Sequence, residues 1–206
     1  MAFETFTLFF ITTVLVVLAP GAAAVAAASQ GASNGALKSI AGAAGIASAN
    51  VVYFALSATG IAALIVASHT VFSIIKWVGV AYLIYLGLMA LLSKSGGLVV
   101  KSGKPRTVYS LYLQGFIIEF ANPKALLYFA AILPLFIDVD RPLIWQLLIM
   151  GGVTLCIDLA IYAAYGLLGD RLTRGTMPGW IIATVNKTAG TALLYAGYKM
   201  SRITAS

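Results

Sequence analysis

The sequence has very little of what a water-soluble protein needs on its surface. Of its 206 residues only 9% are charged, with six acidic and thirteen basic side chains, whereas 61% are hydrophobic and the mean hydropathy is +0.99. An ordinary soluble domain is roughly 45–50% apolar and about 25% charged. The scarcity of charge therefore argues against a soluble enzyme, a disordered chain and a nucleic-acid-binding protein.

Cysteine and histidine are each present only once, as Cys156 and His69. A lone cysteine cannot form a disulfide within the chain, and one histidine with one cysteine cannot build a typical nitrogen–sulfur metal site. The sequence therefore predicts no metal site and no cofactor. A phosphate-binding loop is also excluded, since the segment Gly35–Ser39 lacks the required Gly-Lys-Ser/Thr ending.

Long apolar runs stand where a soluble protein would have charged surface. A membrane-spanning helix needs roughly 20 mainly apolar residues. Six runs meet that length, at about residues 4–28, 39–67, 71–93, 109–137, 144–168 and 180–202. The predicted fold is an all-α integral membrane protein with six transmembrane helices.

The first run has an alternative interpretation as a secretory signal peptide, because Ala26–Ala28 resembles a cleavage site. A signal peptide begins with a basic region, whereas Met1–Thr5 contains only the acidic Glu4. We therefore expect this segment to remain as the first span.

The basic residues, which give a net charge of +7, are unequally divided between the two sides of the membrane. With six spans both termini lie on one side, which receives four cations: Lys76, Arg141, Lys199 and Arg202. The other side receives eight: Lys38, Lys94, Lys101, Lys104, Arg106, Arg171, Arg174 and Lys187. Because cytoplasmic loops carry the excess of Lys and Arg, the central loop is predicted in the cytoplasm and both termini outside.

The two halves of the chain resemble each other. Ala19–Ala22 in the first run corresponds to Asn122–Ala125 in the fourth, and Gly79–Gly87 in the third shares a Leu-x-Tyr-x-Gly ending with Ala189–Gly197 in the sixth. Three spans per copy is an odd number, so the second copy enters from the opposite face. This predicts two inverted three-helix repeats, 1–93 and 109–206, joined by a cytoplasmic linker at 94–108. Such repeats are typical of secondary transporters.

A proline lies deep in the first span of each copy. Pro20 cannot donate a hydrogen bond to the Val16 carbonyl, and Pro123 cannot donate to the Glu119 carbonyl. A carbonyl freed in hydrocarbon must find a partner in the protein or in a water-filled cavity. The prolines predict broken first and fourth helices, which either form a substrate site or are structural kinks.

Four charged residues fall within the apolar runs and away from the loops: Glu119, Lys124, Asp158 and Lys187. A charge inside the membrane is costly and points to function, although Lys187 can extend its side chain to the interface. At ~1.5 Å per residue, Glu119 and Asp158 lie about 15 and 16 Å from the cytoplasmic ends of their spans. They predict either a polar transport site or a static Lys124–carboxylate pair that joins helices.

Residue spacing also predicts how the helices pack. Four polar side chains share one face of the fifth span because they are three or four residues apart: Thr154, Asp158, Tyr162 and Tyr165. Small residues follow Pro20 and predict close helix packing or a turn: Gly31, Gly35, Gly42 and Gly45.

Short motifs spread over the whole chain carry a family resemblance. They are Pro20-Gly21, Gln30, Gly79 with Tyr82–Gly87, Asn122–Ala125 and Pro134, of which Asn122-Pro123-Lys124 is the most specific. Together they resemble the LysE/RhtB group of amino-acid exporters. The resemblance implies a multi-pass inner (plasma) membrane protein that expels amino acids or similar small metabolites using the proton gradient. Its partners would be that small substrate and the lipid bilayer, without nucleic acid; a homodimer is left open.

The predicted substrate or coupling site combines the resemblance with the buried charges: Pro20, Gly21, Glu119, Asn122, Pro123, Lys124 and Asp158. The family's first motif usually reads Pro-Gly-Pro followed by Asp or Asn, whereas here Ala22 and Ala23 follow Pro20-Gly21. A less polar substrate is therefore an alternative. A passive channel, an ion exporter and a non-transporting scaffold also stay open, and no nucleophile–base pattern supports an enzyme.

Overall fold

The computed structural model describes residues 2–67, 104–138 and 140–173, with further positions between 77 and 92 and between 184 and 201. All regular structure among these residues is helical, in agreement with the predicted all-α fold. His69, Gly79, Tyr82 and most of the predicted linker lie outside the described residues.

The helices follow one another along the chain as α1 (Phe3–Leu18), α2 (Ala22–Asn34), α3 (Ala36–Ala67), α4 (Val108–Phe120), α5 (Pro123–Leu127) and α6 (Leu143–Thr173). After α5 the chain continues through a π-helical turn, Tyr128–Ile132, and a 3-10 turn, Leu133–Phe136. The described positions of the third and sixth predicted spans are helical as well.

Two described helices, α3 and α6, are long and apolar enough to cross a membrane. Two further spans result if each bent pair counts as one: α1 with α2, bent by 59°, and α4 with the segment Pro123–Phe136, bent by 53°. The described residues thus contain between two and four candidate spans. The protein is a helical membrane protein, and the number of six spans stays a prediction.

Both breaks occur at the predicted prolines. Between α1 and α2 the chain is extended at Ala19 and Gly21, which flank Pro20. Before α5 it is extended at Asn122, whose side chain accepts a hydrogen bond from the Lys124 amide at 3.0 Å. Pro123 then begins the new helix, where a missing N–H costs nothing. The prediction of broken first and fourth helices is confirmed.

The helices bury two apolar clusters. α3 packs against both α4 and α6, and α2 packs against α6. One cluster contains Phe9, Phe129, Ile132, Phe136 and Met150. The other contains Ala24, Ala27, Ile46, Ile157 and Tyr162. Many large apolar side chains on the outside are exposed, as expected of a surface that faces lipid.

Glycines allow the closest approaches between helices. A Cβ added at Gly31 would overlap the Gly166 carbonyl, and one at Gly45 would overlap the Tyr112 carbonyl. Gly35 joins α2 to α3 with a φ of 83°, a conformation that favours glycine. The prediction that these small residues serve packing and a turn is confirmed.

We expect Gly31→Ala to lower the free energy of unfolding by about 1–3 kcal/mol, because the added methyl group would force α2 and α6 apart. Thermal melting of the purified protein in detergent measures the effect. Gly152→Ala is the matched control, since a Cβ at Gly152 in α6 meets nothing within 4 Å. Equal melting temperatures for the two variants would contradict the close α2–α6 contact.

Candidate functional site

The two helix breaks face each other and are joined by Lys124. Its Nζ donates hydrogen bonds to the carbonyl oxygens of Val16 at 2.9 Å and Ala19 at 2.8 Å. Gly21 lies beside the same ammonium group, since a Cβ there would be 3.8 Å from Nζ. The Val16 carbonyl, which Pro20 deprives of its helical partner, is therefore satisfied by a residue of the other break.

A second carbonyl at the C-terminal end of α1 is bonded by a side chain of α6. Tyr165 Oη donates to the Leu18 carbonyl at 2.7 Å, and the Ala19 amide donates to the Leu15 carbonyl at 3.0 Å. An exposed helix end inside a membrane would be costly. Here Lys124 of α5 and Tyr165 of α6 donate hydrogen bonds to the last carbonyls of the helix.

The second break carries a buried carboxylate. Glu119 is 2% exposed, and its Oε2 accepts a hydrogen bond from Asn122 Nδ2 at 2.8 Å. Asn122 thus bonds Glu119 through its amide nitrogen and the Lys124 backbone through its oxygen. Tyr53 of α3 donates to the Phe120 carbonyl at the end of α4.

The carbonyl freed by Pro123 finds a partner in the protein, which is one of the two expected outcomes. The Glu119 carbonyl accepts a hydrogen bond from the Asn122 amide at 2.9 Å. The bond joins residues three apart, so the last turn of α4 is of the 3-10 type, which is frequent at helix ends.

Asp158 occupies the centre of the face predicted for the fifth span. It is fully buried, and Thr154, Tyr162 and Tyr165 on the same face of α6 are buried as well. Asn50 of α3 donates to Asp158 Oδ2 through Nδ2 at 2.9 Å. Asn50 was not among the predicted site residues, although an amide in the middle of an apolar run was a signal for it.

The charges of the site do not form a close ion pair. Lys124 bonds carbonyl oxygens rather than Glu119 or Asp158, so the alternative of a static Lys124–carboxylate pair is not what the structure shows. Both Glu119 and Lys124 nevertheless act electrostatically on Asp158. Lys187, predicted to reach the interface, is exposed.

The structure thus brings Pro20, Gly21, Asn122, Pro123, Lys124 and Glu119 together at two facing breaks, with Asp158 on the adjoining helix α6. Within the part of the chain that the structure describes, no group of three or more His, Cys, Asp or Glu side chains could hold a metal ion. A polar site between broken membrane helices is typical of secondary transporters.

Comparison with known proteins agrees with that class. The model of the LysE type translocator family matches residues 14–202. The chain belongs to this family, whose members are membrane transporters rather than enzymes.

Several relatives cover most of the chain. A homoserine/homoserine lactone efflux protein of Salmonella typhimurium is 26% identical over 197 residues, 96% of each chain. An uncharacterized membrane protein of Vibrio cholerae is 29% identical over 189 residues, 92% of each chain. A leucine efflux protein of Klebsiella pneumoniae is 27% identical over 135 residues, 64% of this chain and 63% of that protein. No solved structure matches the chain.

Proposed function

We propose that this protein exports a small zwitterionic metabolite, an amino acid or a close derivative, across the inner membrane in exchange for protons. Two relatives are named for the efflux of homoserine or its lactone and of leucine, which supports this substrate class. The observation that carries the proposal is the Lys124 ammonium group, which bridges the two facing breaks beside two buried acidic side chains.

Lys124 suits the carboxylate end of such a substrate. Its two acceptors, the carbonyls of Val16 and Ala19, are neutral, whereas a carboxylate adds a direct attraction between opposite charges, which is stronger inside a protein than in water. A substrate carboxylate can therefore compete for the ammonium group. Glu119 and Asp158 are the candidates for its amino group.

The residues that follow the first break favour an aliphatic substrate. Ala22 and Ala23 follow Pro20-Gly21 where the family usually has proline and a polar residue, and Ala23, Ala24 and Ala27 are buried in an apolar cluster. No polar group from this stretch is offered to a substrate side chain. Leucine is therefore the first substrate to test, with homoserine as the more polar comparison.

We also propose that residues 1–93 and 109–206 are inverted repeats joined by a cytoplasmic linker at 94–108, with both termini outside. The similar bends of 59° and 53° at corresponding prolines support the repeat. The Arg106 amide donates to Asn34 Oδ1 at 2.6 Å, which agrees with the linker and the end of α2 lying on one side.

Cysteine labelling tests the orientation. In a Cys156→Ser background, we expect Ser206→Cys but not Ser102→Cys to react with a membrane-impermeant thiol reagent in intact cells, because the positive-inside rule places the linker in the cytoplasm. Permeabilised cells, in which both should react, are the control. Labelling of Ser102→Cys alone in intact cells would reverse the orientation.

Transport by purified protein tests the function. In proteoliposomes loaded with labelled leucine or homoserine, we expect an imposed pH gradient to drive efflux against the substrate gradient, with the membrane potential clamped. Protein-free liposomes are the control. A passive channel would let the substrate equilibrate without accumulating. Flux that ignores the pH gradient would contradict proton exchange, and the absence of flux for both compounds would contradict the substrate class.

A further inference from the structure

Asn50 and Asp158 form a side-chain pair that is only half bonded. Asn50 Nδ2 donates to Asp158 Oδ2 at 2.9 Å. The other oxygen of each group, Asn50 Oδ1 and Asp158 Oδ1, is buried and has no hydrogen-bond partner. Both side chains are more than nine-tenths buried. Two buried acceptors without a donor are unfavourable. One additional hydrogen atom, shared between the two oxygens, would satisfy both.

A proton on Asp158 supplies that hydrogen atom. When Oδ1 of the acid carries the proton, it becomes a donor, and the Asn50 oxygen is an acceptor on the side chain to which Asp158 is already bonded. The amide and the acid then each donate to the other. Hydronium on one side gives its proton to Asp158 Oδ1, which forms the O–H bond and leaves water. The O–H bond breaks when a water molecule on the other side takes the proton and becomes hydronium.

The charge of the site requires one such proton. The ionisable groups in electrostatic range of Asp158 among the described residues are Glu119, Lys124 and Tyr128 from the second broken pair and Tyr162 from α6. The tyrosines are neutral in their ordinary form. Two carboxylates against one ammonium leave one negative charge unbalanced, and unbalanced charge is costly within a membrane. A single proton makes the site neutral.

Asp158 is better suited than Glu119 to hold it. The Glu119 carboxylate accepts an N–H from Asn122, and neither of its oxygens is among the buried atoms without a partner. Asp158 is more deeply buried and has the unpartnered oxygen. The negative charge of ionised Glu119 balances the positive charge of Lys124. Asp158 is then the acid that is protonated and neutral.

We propose that Asp158, positioned by Asn50, is the binding site of the coupling proton. This rests on the proposed proton exchange and assigns it to one residue. It leaves Glu119 as the acid that faces the substrate amino group.

Infrared spectroscopy of the purified, substrate-free protein tests the assignment without transport. We expect the difference between acidic and alkaline samples to contain the carbonyl band of a buried carboxylic acid. Labelling all aspartates with ¹³C should move this band to lower frequency, whereas labelling all glutamates should not. This arm uses the unaltered chain, so no variant has to fold.

Single-residue variants then assign the carbonyl band to one acid. We expect Asp158→Asn to remove it, Glu119→Gln to keep it, and Asn50→Leu to shift its frequency because the acid loses its hydrogen-bond partner. Asp138→Asn is the matched aspartate control, outside the helices. In proteoliposomes, Asp158→Asn should lose the response of leucine flux to a pH gradient.

The outcomes separate this inference from the proposed function. A band that moves with labelled glutamate, or that persists in Asp158→Asn, would overturn the inference even if pH-driven transport holds. The predicted band without transport of leucine or homoserine would support the proton site while contradicting the substrate class. Stabilisation by Na⁺ together with an absent band would show that a metal cation, not a proton, occupies the pair.

Discussion

Lys124→Met is expected to abolish export of leucine or homoserine and to lower the free energy of unfolding by about 3–5 kcal/mol, because the buried Glu119 charge loses the positive charge that balances it. Methionine keeps an unbranched apolar side chain but has no N–H donor. The carbonyls of Val16 and Ala19 lose their shared partner, and the substrate carboxylate loses its proposed contact. Efflux from proteoliposomes measures the first effect, and thermal melting measures the second.

A second substitution separates the two roles of Lys124. Pro20→Ala restores the N–H that can serve the Val16 carbonyl in a continuous helix. If Lys124 were only a cap for α1, Lys124→Met/Pro20→Ala would recover stability and export together. We expect the double variant to regain part of the stability and none of the export. Pro20→Ala alone is the control for straightening of the helix. If Pro20→Ala exports substrate and the double variant exports it equally well, Lys124 takes no part in substrate binding.

The breaks themselves could be predicted from the sequence because proline acts locally. Pro20 and Pro123 remove a backbone donor whatever surrounds them, and each break is found at its proline. The partner of a freed carbonyl is a different matter. Lys124 is more than 100 residues from Val16 along the chain, so no local rule connects them. The Glu119 carbonyl is bonded in a 3-10 turn at the end of α4, which could not be predicted from the sequence.

Charge explains which site residues were predictable. Glu119, Lys124 and Asp158 stand out because a charged side chain in an apolar run requires an explanation. Asn50 is neutral and costs less free energy to bury, so the argument from buried charge does not identify it. In the structure it is the hydrogen-bond partner of Asp158. Tyr165 was placed on the correct face by its spacing, but its bond to the Leu18 carbonyl follows from the packing of α6 against the first break.

Asn122→Asp is expected to be the most damaging conservative change in the second break. The aspartate can still accept the Lys124 amide bond, so the start of α5 keeps its cap. Its other oxygen replaces the amide nitrogen that donates to Glu119 Oε2 at 2.8 Å. Two carboxylates would then meet within the membrane. We expect a loss of about 3–5 kcal/mol in the free energy of unfolding, the cost of an uncompensated buried charge.

Exchanging the two groups should reverse this loss. In Asn122→Asp/Glu119→Gln the glutamine donates to the aspartate, so the bond is restored with its direction inverted and the number of carboxylates unchanged. We expect melting temperatures close to those of the unaltered protein, and export that stays low because the negative charge has moved away from its proposed position opposite the substrate amino group. Glu119→Gln alone is the control, as it keeps the local fold without the charge. Full export by both the exchanged pair and Glu119→Gln would show that a negative charge at position 119 is not needed, and the proposed contact of Glu119 with the substrate amino group would be wrong.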